Sequence, residues 1–176
     1  MSKALSIKVF SDGAVLETML HDLNSGLVTG FTTNPSLMKK AGITSYIGFA
    51  KDVLKEITDY PVSFEVFADD LEGMEQEARR IAALGDNVYV KIPVTNSKGE
   101  STAPLIDRLT AEGIKVNVTA IFTVEQVREV VDALKSGTPA VVSVFAGRIA
   151  DTGVDPMPIM QEALAICRQK EDVELL

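Results

Sequence analysis

Seven short apolar runs, separated by segments with helical spacing, limit the possible folds of this 176-residue chain more than any other feature. The runs span residues 5–13, 26–35, 61–68, 87–94, 114–122, 140–149 and 172–176. Strands that are apolar on both faces and alternate with helices are typical of a parallel sheet covered by helices. The pattern therefore predicts an α/β fold with six successive βα units and the start of a seventh strand.

Two of the intervening segments have recognisable helix ends. Thr123 begins a Thr-Val-Glu-Gln sequence with the spacing of a capping box, and Gly137 ends that segment before the next run. Asp69 or Asp70 is expected to cap a second helix, which closes at Gly85.

Each of the first six strands also contains, or ends near, a polar residue that packing alone does not require. In chain order these residues are Asp12, Asn34, Glu65, Lys91, Asn117, Thr119 and Ser143. In an open sheet the polar groups of the outermost strands would lie far apart. In a closed (β/α)8 TIM barrel they would converge near one end of the interior, where such enzymes have their active sites. The barrel is therefore the favoured fold.

The length of the chain conflicts with a complete barrel, which typically needs about 250 residues and at least roughly 200. We therefore expect one incomplete barrel domain over residues 1–176, lacking the C-terminal units. A fragment of a longer chain is the favoured interpretation. The alternative is that another chain supplies the missing edge.

Composition and charge restrict the class of function. A net charge of −8 argues against a general affinity for nucleic acid or for an anionic membrane. No apolar run approaches the roughly 20 residues of a membrane span. A single cysteine, Cys167, fits a reducing cytoplasm, and with the single histidine, His21, it cannot form a structural zinc site. No glycine-rich nucleotide loop is present.

Lys91 lies at the centre of the run Asn-Val-Tyr-Val-Lys-Ile-Pro-Val, on the face opposite Val90 and Ile92. Taken alone, it is more easily explained as an edge or snorkelling lysine. Among polar partners in a barrel it suggests a Schiff base, in which an unprotonated amine attacks a substrate carbonyl and the imine promotes carbon–carbon cleavage. Glu65 or Asp12 would move protons, and Thr119 would position a catalytic water. This chemistry needs no metal and no organic cofactor.

Several of these residues also have a purely structural interpretation. Asp12 before Gly13 is equally consistent with a turn, and Asn34 before Pro35 with a helix cap. Arg148 is compatible with a solvated loop. His21 is expected to be partly exposed, and Cys167 to be a packing residue.

Four segments together are highly specific. They read GFTTNPSL (30–37), VYVKIPVT (88–95), VNVTAIFT (116–123) and VSVFAGRIADTGVDP (142–156). In this order they resemble the signature segments of the transaldolase family, and in particular of its small members, which are grouped with the fructose-6-phosphate aldolases. The resemblance implies a class I aldolase type barrel without metal or cofactor. Such an enzyme transfers a dihydroxyacetone unit from a ketose phosphate to an aldose phosphate in the pentose phosphate pathway.

The resemblance also implies a role for each matching residue. Lys91 is similar to the Schiff-base nucleophile, Asp12 to a proton carrier and hydroxyl ligand, and Thr119 to the residue that holds the catalytic water. The substrate-binding positions implied by the match are Thr33, Asn34, Asn117, Ser143, Phe145 and Arg148, with Arg148 in phosphate recognition. The C-terminal part of the family pattern, from a seventh strand onward, has no counterpart here. A homo-oligomer is expected for the full-length form.

Two positions favour transaldolase over fructose-6-phosphate aldolase. Transaldolases resemble this chain in having glutamate at Glu65 and phenylalanine at Phe145, where the aldolases tend to have glutamine and tyrosine. The aldolase remains the alternative enzyme. A non-catalytic fragment whose sheet edges pair with a partner chain is the alternative from another class.

Overall fold

The computed structural model describes residues 7–176, in which seven parallel strands alternate with eight helices. The strands are β1 (Phe10–Asp12), β2 (Gly30–Thr32), β3 (Val62–Glu65), β4 (Val88–Pro93), β5 (Val116–Ile121), β6 (Ala140–Val144) and β7 (Val173–Leu175). The helices are α1 (Leu16–Asn24), α2 (Pro35–Lys40), α3 (Tyr46–Glu56), α4 (Leu71–Ala82), α5 (Ala103–Ala111), α6 (Val124–Ala133), α7 (Ala146–Asp151) and α8 (Met157–Cys167). Strands β1 to β3 pair in chain order, and so do strands β4 to β7. This alternation is that of an incomplete (β/α) barrel, as the sequence predicts.

Contacts between Cα atoms divide the chain into two compact units. The first unit extends to Glu65 and includes Ile81–Tyr89, and the second consists of Val66–Arg80 and Val90–Leu176. The expectation of a single domain over residues 1–176 therefore stays a prediction.

The first unit has a core of fully buried side chains from β2, β3 and α3, namely Phe31, Val62, Phe64, Ala50 and Val53. β1 and β2 approach each other closely at Gly30, where a Cβ atom would lie 2.3 Å from Cε1 of Phe10. A larger residue would require the Phe10 ring to move, so glycine at this position allows the observed contact. The side chain of Asn87 donates to the carbonyl oxygens of Ile57 and Tyr60, both at 2.8 Å, and thereby holds the turn between α3 and β3.

The second unit has a core of fully buried aliphatic side chains from β5, β6, α5 and α6, namely Leu105, Leu109, Val118, Ile121, Val127, Val130 and Val142. Full burial of one such side chain typically contributes about 1.5–3 kcal/mol. The capping box predicted at Thr123 is confirmed. The Gln126 N–H donates to Thr123 Oγ1, and the Thr123 N–H donates to Gln126 Oε1. At the other end of α6, Lys170 Nζ donates to the carbonyl oxygens of Val131 and Leu134.

The structure corrects one detail of the sequence interpretation and makes two others more specific. The run 140–149 is a strand only as far as Val144, because the chain turns at Phe145 into α7. Asp70 caps α4 by accepting from the Gly73 N–H, whereas Asp69 accepts from Ser97 instead. In the first run, residues 5 and 6 lie outside the described residues, and the strand itself begins at Phe10.

Two expectations about individual residues are confirmed. Cys167 is a buried packing residue, and burial raises the pKa of its thiol to about 11. His21 is exposed on α1. None of the helices in residues 7–176 has the length and apolar character that a membrane-spanning helix requires.

Candidate active site

Lys91 occupies the fourth position of β4, and the strand alternates as the sequence predicts. Val88, Val90 and Ile92 are buried, whereas Tyr89, Lys91 and Pro93 are half-buried. The backbone at Lys91 is fixed on both sides: its carbonyl accepts from the Val66 N–H at 3.1 Å, and its Cα is the register partner of Asn117 in β5. The amine is therefore attached to a backbone that cannot shift along the sheet.

Asn117 and Ser143 form a hydrogen-bonded pair in the interior of the second unit. Ser143 Oγ donates to Asn117 Oδ1 at 2.7 Å, and both residues are buried. With its carbonyl oxygen accepting from Ser143, the Asn117 amide presents Nδ2 as its donor. Two predicted substrate-binding residues from adjacent strands, Asn117 and Ser143, are thus in direct contact. Asn117 is also the register partner of Lys91.

Thr119 lies two residues beyond Asn117 in β5 and is 3% exposed. Its hydroxyl has no hydrogen-bond partner within residues 7–176. A buried polar group left in this state costs about 1–3 kcal/mol, so each such group in a folded protein calls for an explanation. A bound water or a ligand hydroxyl would satisfy it.

The backbone next to Thr119 is unusual as well. Ala120 has a φ of 59°, and in residues 7–176 it is the one non-glycine residue with positive φ. Such a conformation costs on the order of 1–3 kcal/mol and is found preferentially at functional sites. Sequence reasoning could not have identified Ala120, because alanine has no preference for this region of φ/ψ space.

Phe145 and Arg148 lie beyond the end of β6 and differ in their surroundings. Phe145 is half-buried, and its ring packs edge-to-face against Phe122, with ring centroids 5.7 Å apart. Arg148 is on α7 rather than in a loop, and its side chain is 74% exposed, 3.7 Å from the Asp151 carboxylate. Its guanidinium is therefore accessible to a charged group arriving from solvent.

The first unit contains the other four predicted site residues, and the side chains of Asp12, Thr33 and Asn34 form hydrogen bonds within this unit. Asp12, which is exposed, accepts from Thr32 Oγ1 at 2.8 Å. Thr33 is buried, and its hydroxyl donates to the Ser63 carbonyl at 2.9 Å. Asn34 follows β2, and its Oδ1 accepts from the Leu37 N–H at 2.9 Å. The helix-cap interpretation of Asn34 is thereby confirmed. The Nδ2 group of the same side chain is its hydrogen-bond donor.

Glu65 is half-buried at the end of β3, and a residue that sequence reasoning missed fixes its backbone. The Tyr46 hydroxyl donates to the Glu65 carbonyl at 2.7 Å, and the Tyr46 ring packs edge-to-face on Phe64. The two residues are 19 positions apart, and no local pattern connects them.

Across residues 7–176, no three His, Cys, Asp or Glu side chains are grouped as a metal site would need.

The chain matches one protein family over nearly its whole length, the family described as transaldolase/fructose-6-phosphate aldolase, which covers residues 9–175. Among curated proteins, a probable transaldolase of Methanococcus maripaludis (strain C7) is 42% identical over 163 residues, which are 91% of this chain and 70% of that protein. A probable transaldolase of Thermoplasma volcanium is 41% identical over 162 residues, or 91% of this chain and 69% of that protein. One of Thermoanaerobacter sp. (strain X514) is 36% identical over 171 residues, or 97% and 74%. The chain belongs to the transaldolase/fructose-6-phosphate aldolase family.

Proposed function

We propose that the protein is a transaldolase that transfers a dihydroxyacetone unit from a ketose phosphate, such as fructose 6-phosphate or sedoheptulose 7-phosphate, to an aldose phosphate. The observation that carries this proposal is the unpartnered, buried hydroxyl of Thr119, two residues from the register partner of Lys91. The membership of the family and the names of the relatives support a transaldolase-like activity. The pathway would be the pentose phosphate pathway and the compartment the cytoplasm.

The reaction begins with attack of the unprotonated Lys91 amine on the donor carbonyl, and loss of water gives a protonated imine. A base then removes the proton of the C4 hydroxyl, the C3–C4 bond breaks, and the aldose phosphate leaves. The electron pair of that bond is held by the imine as an enamine. The enamine carbon attacks the aldehyde of the acceptor, and water hydrolyses the new imine and restores Lys91.

The remaining residues have roles that fit their chemistry. Glu65 and Asp12 are carboxylates that would move protons. Thr119 would hold the water that relays protons while the imine forms, a step that releases a water molecule, and that hydrolyses the imine afterwards. Asn117 and Ser143 offer polar groups to substrate hydroxyls in the second unit, and Thr33 and Asn34 are the candidates in the first. The exposed guanidinium of Arg148 suits a phosphate.

Phe145 supports a transferase rather than an aldolase. Its ring has no hydroxyl, so it supplies no proton to an enamine, and protonation of the enamine is the step that releases free dihydroxyacetone. Its neighbour Phe122 has no hydroxyl either. A carboxylate at Glu65, instead of the amide expected of an aldolase, agrees with this choice.

The test is acceptor dependence. With fructose 6-phosphate and erythrose 4-phosphate we expect sedoheptulose 7-phosphate, and with the donor alone we expect little free dihydroxyacetone. Lys91→Met should lower the rate by at least about 10³-fold, because it removes the nucleophile. Lys98→Met, at an exposed lysine beyond the same strand, is the matched control and should retain the rate. Equal release of dihydroxyacetone with and without acceptor would identify an aldolase instead.

A further inference from the structure

β5 contains one more residue than β6 over the same stretch of ladder. Val118 pairs with Val142 and Ile121 pairs with Val144, so β5 advances three residues while β6 advances two. Thr119 and Ala120 therefore both lie opposite Ser143, which is the arrangement of a β-bulge. The positive φ of Ala120 provides the local change of direction that a bulge requires.

The extra residue changes which side chain occupies which face of β5. Val142 and Val144 are two residues apart and so share one face of β6. Their partners, Val118 and Ile121, are both fully buried. Ile121 has thus returned to the face of Val118, and Phe122 comes directly after this last residue of β5. In an unbulged strand Ile121 would have shared the face of Thr119.

The observed ring contact agrees with this change of face. Phe122 follows Ile121 as Phe145 follows Val144, and the two rings pack at 71° with centroids 5.7 Å apart. Both backbones are fixed: the Phe122 N–H donates to Gln126 Oε1, and the Phe145 N–H donates to the Ile121 carbonyl, each at 2.8 Å. Phe122 is 42% exposed, so it contributes little to the core.

We propose that Phe122 is a positioning residue for Phe145, and that the bulge at Ala120 exists to place it there. The inference rests on the proposed function, in which the Phe145 ring borders the substrate. After carbon–carbon cleavage, the enamine on Lys91 has two fates. Either its carbon forms a bond to the acceptor aldehyde, whose oxygen takes a proton, or the carbon itself takes a proton and hydrolysis releases dihydroxyacetone and the free amine. A Phe145 ring held at a fixed angle by Phe122 keeps proton donors away from that carbon and favours transfer.

The test compares Phe122→Ala and Phe122→Leu with the unaltered chain, measuring the ratio of transfer to dihydroxyacetone release with fructose 6-phosphate and erythrose 4-phosphate. Loss of one edge-to-face ring contact should lower this ratio about 3- to 10-fold. The donor KM should change less than about twofold, since imine formation does not involve the ring. Leu164→Ala, on α8 and 37% exposed, is the control and should keep the ratio. Phe122→Leu retains most of the side-chain volume, so the test holds even if the alanine variant folds poorly.

Each outcome decides the inference. A lower ratio in both Phe122 variants, with the ratio of Leu164→Ala unchanged, supports it. An unchanged ratio in an active protein, or an equal fall in Leu164→Ala, overturns the inference and leaves the proposed function standing. If the unaltered, folded chain forms neither product, the proposed function fails and the inference fails with it.

Discussion

Thr33 in the first unit and Thr119 in the second are both buried threonines of the predicted site, 0% and 3% exposed, but their hydroxyls differ. Thr33 Oγ1 donates to the Ser63 carbonyl, and the Thr33 N–H donates to the same oxygen. Thr119 Oγ1 has no partner in the described part of the chain, and the residue after it is strained. The hydroxyl proton of Thr33 is thus donated within the folded chain, whereas the Thr119 hydroxyl has both its donor and its acceptor capacity left for a water or a ligand.

Among the variants that test this comparison, the largest effect is expected from Thr119→Val, which removes the unpartnered hydroxyl and keeps the shape. We expect kcat for transfer to fall about 10²-fold, because the catalytic water loses its holder. The free energy of unfolding should stay the same or rise, because a buried unsatisfied group is replaced by a methyl. Steady-state kinetics and urea unfolding measure the two quantities. A kcat within about threefold of the unaltered chain would show that Thr119 does not hold a catalytic water.

Variants of Ala120 test whether the backbone next to Thr119 is strained. Ala120→Val should lower the free energy of unfolding by about 2 kcal/mol, because a β-branched residue rarely adopts positive φ. Ala120→Gly should leave it nearly unchanged, since relief of strain offsets the entropy of the more flexible unfolded chain. The control is Ala140→Gly, a buried position in β6, where we expect a loss of about 1 kcal/mol. Equal losses in the two glycine variants would argue against strain at Ala120.

Thr33→Val tests the same comparison at the threonine of the first unit. This change removes a hydrogen bond that the folded chain makes, so we expect a loss of about 1 kcal/mol in the free energy of unfolding. The sign is therefore opposite to that expected for Thr119→Val, although the substitution is the same. Urea unfolding of both variants under one set of conditions measures the difference. If both variants lost stability to the same extent, the two threonines would not differ as the structure indicates.

The smallest effect is expected at Asp69, a second group whose partners lie in the scaffold. Hydrogen bonds from the Ser97 hydroxyl and then from its N–H hold the pKa of the Asp69 carboxyl below its ordinary value of 3.8. A lowered pKa in the folded chain means that this stabilisation is complete at neutral pH and is lost as the pH falls through the lowered value. Ser97→Ala should therefore lower the urea midpoint slightly at pH 7 and not at all at strongly acidic pH. A difference independent of pH would contradict this linkage.

The repeating βα order, the capping box at Thr123 and the alternation around Lys91 were predictable, because each depends on residues close together in the sequence. The seventh strand was predicted at residues 172–176 and lies at Val173–Leu175. The Tyr46–Glu65 hydrogen bond and the ring contact between Phe122 and Phe145 could not be predicted, since both depend on tertiary contacts between distant residues. The switch from strand to helix at Phe145 was missed because the phenylalanine makes no side-chain cap hydrogen bond and gives no sequence signal for the start of a helix.

The proposed role of Lys91 as nucleophile is tested most directly by reducing the imine that it would form with the donor. The folded chain is incubated with fructose 6-phosphate and borohydride, which converts an imine to a stable secondary amine, and intact and peptide masses are measured. We predict a single adduct on the peptide that contains Lys91, absent from Lys91→Met and retained in Lys98→Met. An adduct on another lysine, or none on a chain that unfolds cooperatively, would contradict the proposed mechanism.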